Sequence, residues 1–178
     1  MLRRHLVREA AQIALILACV AGFHRAFGAF EVEGASMEPT LRPHQYVVVD
    51  RLGLGHRPPR RGEVIVFRYP RDTRLEYVKR VIGLPGERIA VAHGRVWVND
   101  QPLNEPYLQE RPRYFWGPTA IPPNSVFVLG DNRNSSSDSH LWGPVPVTHL
   151  VGRAWFAYQP MAGWTWLTGQ TPTVQAVP

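Results

Sequence analysis

The stretch Gly34-Ala35-Ser36-Met37-Glu38-Pro39-Thr40-Leu41 follows directly on an apolar N-terminal segment and places one serine among small and apolar neighbours. A serine hydroxyl is a poor nucleophile at neutral pH unless a nearby base takes its proton. The stretch therefore predicts one of two things. Ser36 is either a nucleophile whose base lies elsewhere in the chain, or a capping residue that opens a short helical turn.

The best base downstream is Lys79, in Leu75-Glu76-Tyr77-Val78-Lys79-Arg80-Val81-Ile82. Alternate residues of a strand share a face, so Lys79 lies with Leu75, Tyr77 and Val81 and carries the one charge of that face. Burial there would lower the lysine pKa from about 10.4 by about 2 to 3 units, which would make it a workable general base. The alternative is an edge-strand lysine whose ammonium group reaches water.

A third stretch, Gly130-Asp131-Asn132-Arg133-Asn134-Ser135-Ser136-Ser137-Asp138-Ser139-His140, is dense in hydrogen-bonding side chains. Together and in this order, the three stretches resemble bacterial type I signal peptidases, the membrane-anchored serine proteases with a Ser/Lys dyad. The resemblance runs from about Val32 to Trp155. It implies an endopeptidase that removes signal peptides from secretory preproteins after a small-x-small motif, through an acyl-enzyme and without a cofactor.

The resemblance also implies a role for particular residues of this sequence. Ser36 matches the nucleophile, whose own backbone N–H forms part of the oxyanion hole, and Lys79 matches the general base. Four residues match positions that line the substrate pockets, namely Met37, Leu41, Tyr77 and Val78. In the third stretch, Ser136 matches a serine that orients the base lysine. The other supporting positions are matched by Asp138, Asp131 and Arg133.

Two positions depart from the pattern of the family, and at a third, Gly34, its members have either serine or glycine. Gly34 lacks the hydroxyl that completes the oxyanion hole in some members. Ser135 stands where asparagine is usual, and His140 stands where arginine is usual, which exchanges a fixed cation for a titratable group. We expect protonated His140 to pair with Asp138 and to hold the loop that carries Ser136. The alternative is a neutral histidine that faces solvent.

The remaining sequence predicts an all-β catalytic domain of antiparallel sheets over residues 31–170. Runs rich in β-branched residues predict strands at 45–50, 63–68, 125–129 and 151–158, and a hairpin around His93-Gly94. We expect a loop-rich insertion at about 99–123 and a loose tail at 171–178. The 17 prolines and 15 glycines favour many turns and few long helices.

Residues 1–30 predict one N-terminal transmembrane helix. Ala10–Phe23 is apolar apart from Gln12, which is short for a span of about 20 residues, but the flanking residues make a span feasible if Arg25 reaches the interface. Three arginines within the first eight residues predict an N-terminus in the cytoplasm and a catalytic domain outside the cytoplasmic membrane. A signal cleaved at Ala26-Phe27-Gly28 and a buried soluble helix are the alternatives.

Charge and composition limit the kinds of partner that the chain is expected to bind. The net charge of +6 and the pI near 10.1 favour an anionic membrane surface or a nucleic acid. The arginine clusters lack the interleaved aromatic residues of single-strand binders, so we predict membrane lipid as a partner and no nucleic acid. We also expect no obligate protein partner.

Cysteine and metal chemistry have little support in this chain. Its one cysteine, Cys19, excludes an intrachain disulfide. The sequence has no His-Glu-x-x-His motif and no paired cysteines, and the segment from Asp131 to Asp138 lacks ligands at the third and fifth positions of a calcium loop. We therefore predict no metal and no cofactor.

Three rival functions stay open on the sequence alone. His44 or His140 could serve a Ser/His/Asp triad, although no Gly-x-Ser-x-Gly elbow surrounds Ser36. A self-cleaving repressor-type protease shares the dyad and a similar β-fold, but this chain has an apolar N-terminus instead of a helix-turn-helix domain. The third rival is a membrane-anchored binding protein with an inactive site, and the presence of both Ser36 and Lys79 argues against it.

Overall fold

In the computed structural model, one long helix precedes a domain built mostly of β-strands. The structure describes residues 2–53, 57–159, 163–167 and 171–175. Helix α1 is Leu2–Ala26, helix α2 is Ser139–Trp142, and a 3₁₀ turn covers Val147–His149. The strands are β1 Phe27–Glu31, β2 Tyr46–Asp50, β3 Val64–Tyr69, β4 Asp72–Gly83, β5 Arg88–Ala92, β6 Arg95–Val98, β7 Gln101–Asn104, β8 Trp116–Ala120, β9 Ser125–Leu129, β10 Val145–Pro146, β11 Leu150–Gln159, β12 Gly163–Trp166 and β13 Thr173–Val174.

The first sheet has the strand order β1-β2-β11-β3-β4-β9-β10, with β12 beside β11, and its pairings are antiparallel. Its strands are rich in valine and isoleucine, whose branched side chains fit a pleated surface that is at least half buried. The predicted class, an all-β domain of antiparallel sheets, is confirmed. The strands predicted at 45–50, 63–68, 125–129 and 151–158 correspond to β2, β3, β9 and β11.

Strand β4 has β3 beside it along most of its length, but a second neighbouring strand only at its end. On that side, β3 pairs with it from Val64 opposite Arg80 to Tyr69 opposite Asp72. On the other side, β9 pairs with β4 only over residues 80–83. Within the described residues, the part of β4 from Asp72 to Lys79 therefore has a free edge.

The second sheet has the order β13-β7-β6-β5-β8 and is also antiparallel. Strands β5 and β6 form the predicted hairpin, whose turn residues His93 and Gly94 have φ of 52° and 71°. A two-residue turn of this kind needs positive φ at both positions. The insertion at 99–123 is less loop-like than predicted, because it supplies β7 and β8, whose backbones pair with β6 and β5.

Buried apolar side chains form three clusters. One packs the valines of β2 and β3 against Met37 and Leu41 from the loop after β1. The second fills the space beneath β5, β6 and β9, and the third lies among β3, β4, β9 and β10. Full burial of a leucine or methionine side chain stabilises a fold by about 1.5–3 kcal/mol. Met37 and Leu41 therefore hold the loop that carries Ser36 onto the sheet.

The boundary of the predicted membrane anchor differs from the expectation. Phe27–Phe30, assigned to the anchor from the sequence, belong to β1, which pairs with β2 from Phe27 opposite Asp50 to Glu31 opposite Tyr46. These backbone groups find their partners across the sheet rather than along a helix. The helix ends at Ala26 for this reason.

The tail also differs from the expectation of a loose segment. Thr173 and Val174 pair with Asn104 and Leu103 of β7, and Gln175 N–H donates to the carbonyl oxygen of Pro102 at 3.0 Å. Residues 176–178 lie outside the described part of the chain. The edge of β7 accounts for the order of 173–175, because it offers backbone groups that need partners.

Helix α1 presents apolar side chains to its surroundings. Among the helix side chains that the structure describes, the large exposed apolar ones are those of Ile13, Leu15, Ile16, Leu17, Val20 and Phe23. The helix meets the β-domain at β1. It is not the buried soluble helix that the sequence left open. Among the residues described, no helix reaches both the length and the apolar character that a bilayer crossing requires.

Candidate active site

The turn after β1 holds Ser36 in place. Glu38 N–H donates to the carbonyl oxygen of Ala35 at 3.1 Å, and Leu41 N–H donates to that of Met37 at 2.9 Å. The Met37 and Leu41 side chains are completely buried. Since close packing leaves such side chains little freedom, the backbone around Ser36 has a defined position.

Lys79 lies on β4 opposite Ile65 of β3, with its amine at the serine. Lys79 Nζ is 2.8 Å from Ser36 Oγ and 2.9 Å from the carbonyl oxygen of Val78, and the residue is only 5% exposed. The structure thus brings together the residues predicted as nucleophile and base. It also places the lysine away from water, unlike the alternative of an exposed edge lysine.

Burial lowers the pKa of the Lys79 amine from its usual 10.5 to about 8, because the ammonium form loses its hydration. The carboxylates of Asp138 and Asp131 favour the charged form and oppose this shift, but desolvation is the larger effect. A pKa of about 8 leaves about a tenth of the amine neutral at pH 7, against less than about one part in a thousand at 10.5. The buried lysine is therefore able to act as a base near neutral pH.

Asp138 is the buried centre of the third stretch. Gly130 N–H donates to its Oδ2 at 3.0 Å, and His140 Nδ1 lies 2.6 Å from its Oδ1. The ring of Tyr114 stacks on the His140 ring with 4.2 Å between centroids. The expected contact between His140 and Asp138 is present, and the histidine side chain is 14% exposed, so it is not the solvent-facing residue of the alternative.

A buried ion pair joins the three site stretches. Arg80 Nε and Nη2 donate to the two carboxylate oxygens of Asp131 at 2.8 and 2.6 Å, and Thr40 Oγ1 donates to Asp131 Oδ2 at 2.5 Å. The guanidinium also lies 3.9 Å from the centre of the Tyr107 ring. Thr40 belongs to the serine turn, Arg80 to the lysine strand and Asp131 to the third stretch. The pair therefore fixes these segments relative to one another.

Arg133 ties the third stretch to the second sheet. Its Nη1 and Nη2 donate to the two carboxylate oxygens of Glu105 at 2.8 and 2.5 Å, and its Nε donates to the carbonyl oxygen of Gly130 at 3.0 Å. Burial opposes the charge, but Glu105 outweighs it and raises the pKa of Arg133 above its usual value. Arg133 thus braces the loop through a carboxylate that the sequence had not singled out.

The predicted contact of Ser136 with the base lysine is not formed in the structure. Ser136 Oγ is buried and has no hydrogen-bond partner among the described residues. Its hydroxyl lies against the backbone of Gly130, where a Cβ would come within 2.2 Å of it. Only glycine at position 130 allows this close approach. The neighbour of the Ser136 hydroxyl is therefore the backbone of Gly130 and not the amine of Lys79.

A cleft of about 560 Å³ lies beside the dyad and is lined by Ser36 and Lys79. Tyr77 and Val78, two of the four predicted substrate residues, line it as well. The structure differs from the prediction for the other two, because Met37 and Leu41 pack inside the core and do not line the cleft. Apolar parts of the lining that the sequence had not identified come from Phe30, Val32, Val47 and Val66.

The histidines considered for a triad have other partners. His44 Nδ1 lies 3.1 Å from a carboxylate oxygen of Glu31 at the surface, and His140 contacts Asp138. Within the described part of the chain, the hydrogen-bond partner of Ser36 Oγ is Lys79 Nζ. The arrangement is therefore a serine with a lysine base and not a Ser/His/Asp triad.

The sequence model of one protein family, described as "Signal peptidase, peptidase S26", matches residues 3–159. The chain belongs to this family. A signal peptidase I of Leptolyngbya laminosa is 44% identical over 138 residues, which are 73% of this chain and 68% of that protein. A probable signal peptidase I-2 of a Synechocystis species is 40% identical over 136 residues, or 73% of this chain and 62% of that protein.

The structure of this signal peptidase family member is also similar to a crystal structure, that of a signal peptidase I from Enterococcus faecalis. The two are 30% identical, with a TM-score of 0.49, over 55% of this chain and 97% of the other. The family membership confirms the enzyme class that the sequence predicted, a serine endopeptidase.

Proposed function

We propose that this chain removes signal peptides from secretory preproteins by cutting after a small-x-small motif. The observation that carries the proposal is the 2.8 Å contact between Lys79 Nζ and Ser36 Oγ, made by a buried lysine in a member of the signal peptidase family. The apolar helix α1 also fits this substrate, because it would hold the cleft close to the membrane in which signal peptides are embedded.

In the proposed mechanism, neutral Lys79 takes the proton of the Ser36 hydroxyl as the oxygen attacks the scissile carbonyl carbon. The lysine, now an ammonium, gives that proton to the leaving amine, and the Ser36 ester of the signal peptide remains. Lys79 is neutral again and takes a proton from the water that attacks the ester. It returns this proton to Ser36 Oγ as the ester bond breaks and the signal peptide leaves. One base thus serves both half-reactions, and the chemistry needs no cofactor.

The negative charge on the carbonyl oxygen needs donors in the transition state. Ser36 N–H donates to no other group in the described part of the chain, so it is free to donate to the oxyanion. Gly34 has no hydroxyl to add, and the space where its Cβ would lie is open. We propose that the Ser36 amide is the first donor, and the chain offers no side-chain donor at position 34.

The free edge of β4 suits an extended substrate. Residues 72–79 have backbone groups that no neighbouring strand of the described chain occupies on that side. A peptide in an extended conformation can add as a further strand there, with alternate side chains directed into the cleft. Val32, Val47 and Val66 give the cleft an apolar lining, which favours short apolar substrate side chains.

The proposed function is tested by incubating the detergent-solubilised protein with a model preprotein that has alanine at the first and third positions before the cut. We expect one cut directly after the second alanine, located by mass spectrometry of both fragments. A matched preprotein with phenylalanine at both positions should be cleaved at least about 100-fold more slowly, since large side chains exceed the pocket. Equal cleavage of the two preproteins, or cuts scattered along the chain, would contradict the proposal.

We further propose that α1 anchors the chain in the cytoplasmic membrane, with its N-terminus inside and the β-domain outside. The 25-residue helix is about 37 Å long at 1.5 Å per residue, and the apolar side chains of its described part are mostly exposed. Trp164 and Trp166 on β12 are 71% and 62% exposed, and tryptophan favours the membrane interface. They would rest against the lipid head groups.

Protease added to intact spheroplasts tests this topology. We expect it to degrade the β-domain that follows Ala26, while the same protease leaves a cytoplasmic marker protein intact. N-terminal sequencing of the untreated protein should find the start uncleaved. A mature chain that begins near Ala29 would show instead that the segment is a removable signal.

A further inference from the structure

A second cavity, of about 650 Å³, lies away from the dyad and is lined by neither Ser36 nor Lys79. It is bordered by the end of β2, the loop of residues 57–63 and residues 153–155 of β11. Trp155 forms part of its wall and stacks on Phe27, with 5.8 Å between ring centroids. Arg51, next to the lining residue Asp50, donates its backbone N–H to the carbonyl oxygen of Ala26 at 2.9 Å. The cavity therefore lies beside the junction of α1 and β1.

The charged lining of this cavity is mostly basic. Among the described residues, it has four guanidinium groups and two carboxylates, from Arg57, Arg60, Arg61, Arg153, Asp50 and Glu63. Glu63 is shared, since it contacts Arg57 through one carboxylate oxygen and Arg153 through the other, at 3.1 Å for the latter. Two guanidinium groups share this carboxylate, and Asp50 supplies the second carboxylate of the lining.

Arg60 carries the charge that no carboxylate of the described residues compensates. Its side chain is exposed and has no hydrogen-bond or ion-pair partner among the described residues, although its backbone N–H donates to Glu63 at 2.9 Å. Arg57 next to it is 37% exposed. Arg61 differs, because Glu87 binds both of its terminal nitrogens, at 2.9 and 2.5 Å. Among the described residues, Arg60 thus has the most free donor capacity. Arg57, which donates to Glu63 and to the carbonyl oxygen of Pro58, is the most exposed of the paired arginines of the cavity.

Guanidinium groups bind phosphate oxygens in pairs, with short charge-assisted hydrogen bonds. The apolar side chains of the lining are those of Val64, Ala154, Trp155 and Leu167. A lining that has both guanidinium groups and apolar side chains suits a ligand that carries a phosphate beside a hydrocarbon part. Inorganic phosphate would use the basic side alone.

We infer that this cavity binds a phosphate-bearing anion, with Arg57 and Arg60 as the main phosphate ligands. The position beside the end of α1, and the apolar wall around Trp155, identify the head group of an anionic phospholipid as the ligand that fits best. The site is separate from the cleft of the dyad, so binding there is independent of peptide cleavage.

The test uses the detergent-solubilised full chain and follows tryptophan fluorescence, which Trp155 makes sensitive to the cavity. Dihexanoylphosphatidylglycerol is titrated below its micelle-forming concentration, and inorganic phosphate is titrated in a parallel arm. The variant Arg57→Gln/Arg60→Gln removes two charges from the cavity. The matched control Arg88→Gln/Arg95→Gln removes two charges from exposed arginines of the second sheet.

We expect saturable binding of dihexanoylphosphatidylglycerol whose Kd rises at least about tenfold in Arg57→Gln/Arg60→Gln and less than about twofold in the control. Inorganic phosphate should bind more weakly and lose its binding in the same variant. Equal affinity for the two ligands would identify free phosphate as the source of the anion. Absence of saturable binding by either ligand, or an unchanged Kd in Arg57→Gln/Arg60→Gln, would overturn the inference.

Discussion

Ser36→Ala and Lys79→Ala are each expected to lower kcat/KM for a preprotein by at least about 10³-fold, because nucleophile and base act as one unit. The double variant should be no worse than either single one for the same reason. The 2.8 Å contact between the two side chains leaves no second base within hydrogen-bond distance of Ser36 Oγ in the described structure. Rates are measured by quantifying the cleaved preprotein over time.

Controls separate this loss of chemistry from a loss of fold. His44→Ala and His140→Ala should retain substantial activity, because neither histidine contacts Ser36. Lys79→Met should be at least as stable as the wild type at pH 7. Folding lowers the pKa of Lys79 to about 8, so at pH 7 the folded protein has to bury the ammonium form, which is unfavourable. Methionine has no charge to bury. Near-normal turnover by Lys79→Ala would end the Ser/Lys assignment.

Arg80→Ala is expected to destabilise the protein by about 3–5 kcal/mol, because it leaves Asp131 as a buried carboxylate without its main partner. Both side chains of this ion pair are almost inaccessible, and the pair joins the strand of Lys79 to the third stretch. Activity should fall together with stability, since the ion pair no longer holds the third stretch against the strand that carries Lys79. Denaturant unfolding followed by circular dichroism measures the change.

Two further variants sharpen this test. Arg74→Ala on the same strand breaks the exposed pair with Asp72 and should leave the unfolding midpoint almost unchanged. Arg80→Met/Asp131→Leu removes both charges and should recover part of the lost stability, because no buried charge is left unpaired. If Arg80→Ala and Arg74→Ala shift the midpoint equally, the buried pair does not have the role described.

The sequence was sufficient to predict that Ser36 and Lys79 lie together and that the sheets are antiparallel. The alternation of side chains along β4 and the turn that carries Ser36 are local patterns, and such patterns can be recognised in a sequence. The sequence did not reveal the buried ion pair of Arg80. The alternation of β4 places Arg80 on the other face of the strand from Lys79, and nothing in the sequence indicates that this face is buried there. Its partner Asp131 is 51 residues away and comes into contact only through the fold. The same limit applies to Glu105, the partner of Arg133.

The roles of Met37 and Leu41 show a different limit. Both are apolar residues beside the nucleophile, where a place in the substrate pocket and a place in the core look alike from the sequence. Packing against the valines of β2 and β3 decides for the core. The end of α1 at Ala26 was likewise not visible, because Phe27–Phe30 are apolar and suit either a helix in lipid or a strand.

The pH dependence of kcat/KM tests the central claim, a neutral Lys79 as the base, most directly. The Lys79 pKa of about 8 means that the active form is lost as pH falls through that value. We therefore expect half of the maximal kcat/KM near pH 8 and a decrease of about tenfold per pH unit below it. A midpoint between about pH 6 and 7, as for a histidine base, or one near 10.5, as for an unperturbed lysine, would contradict the account.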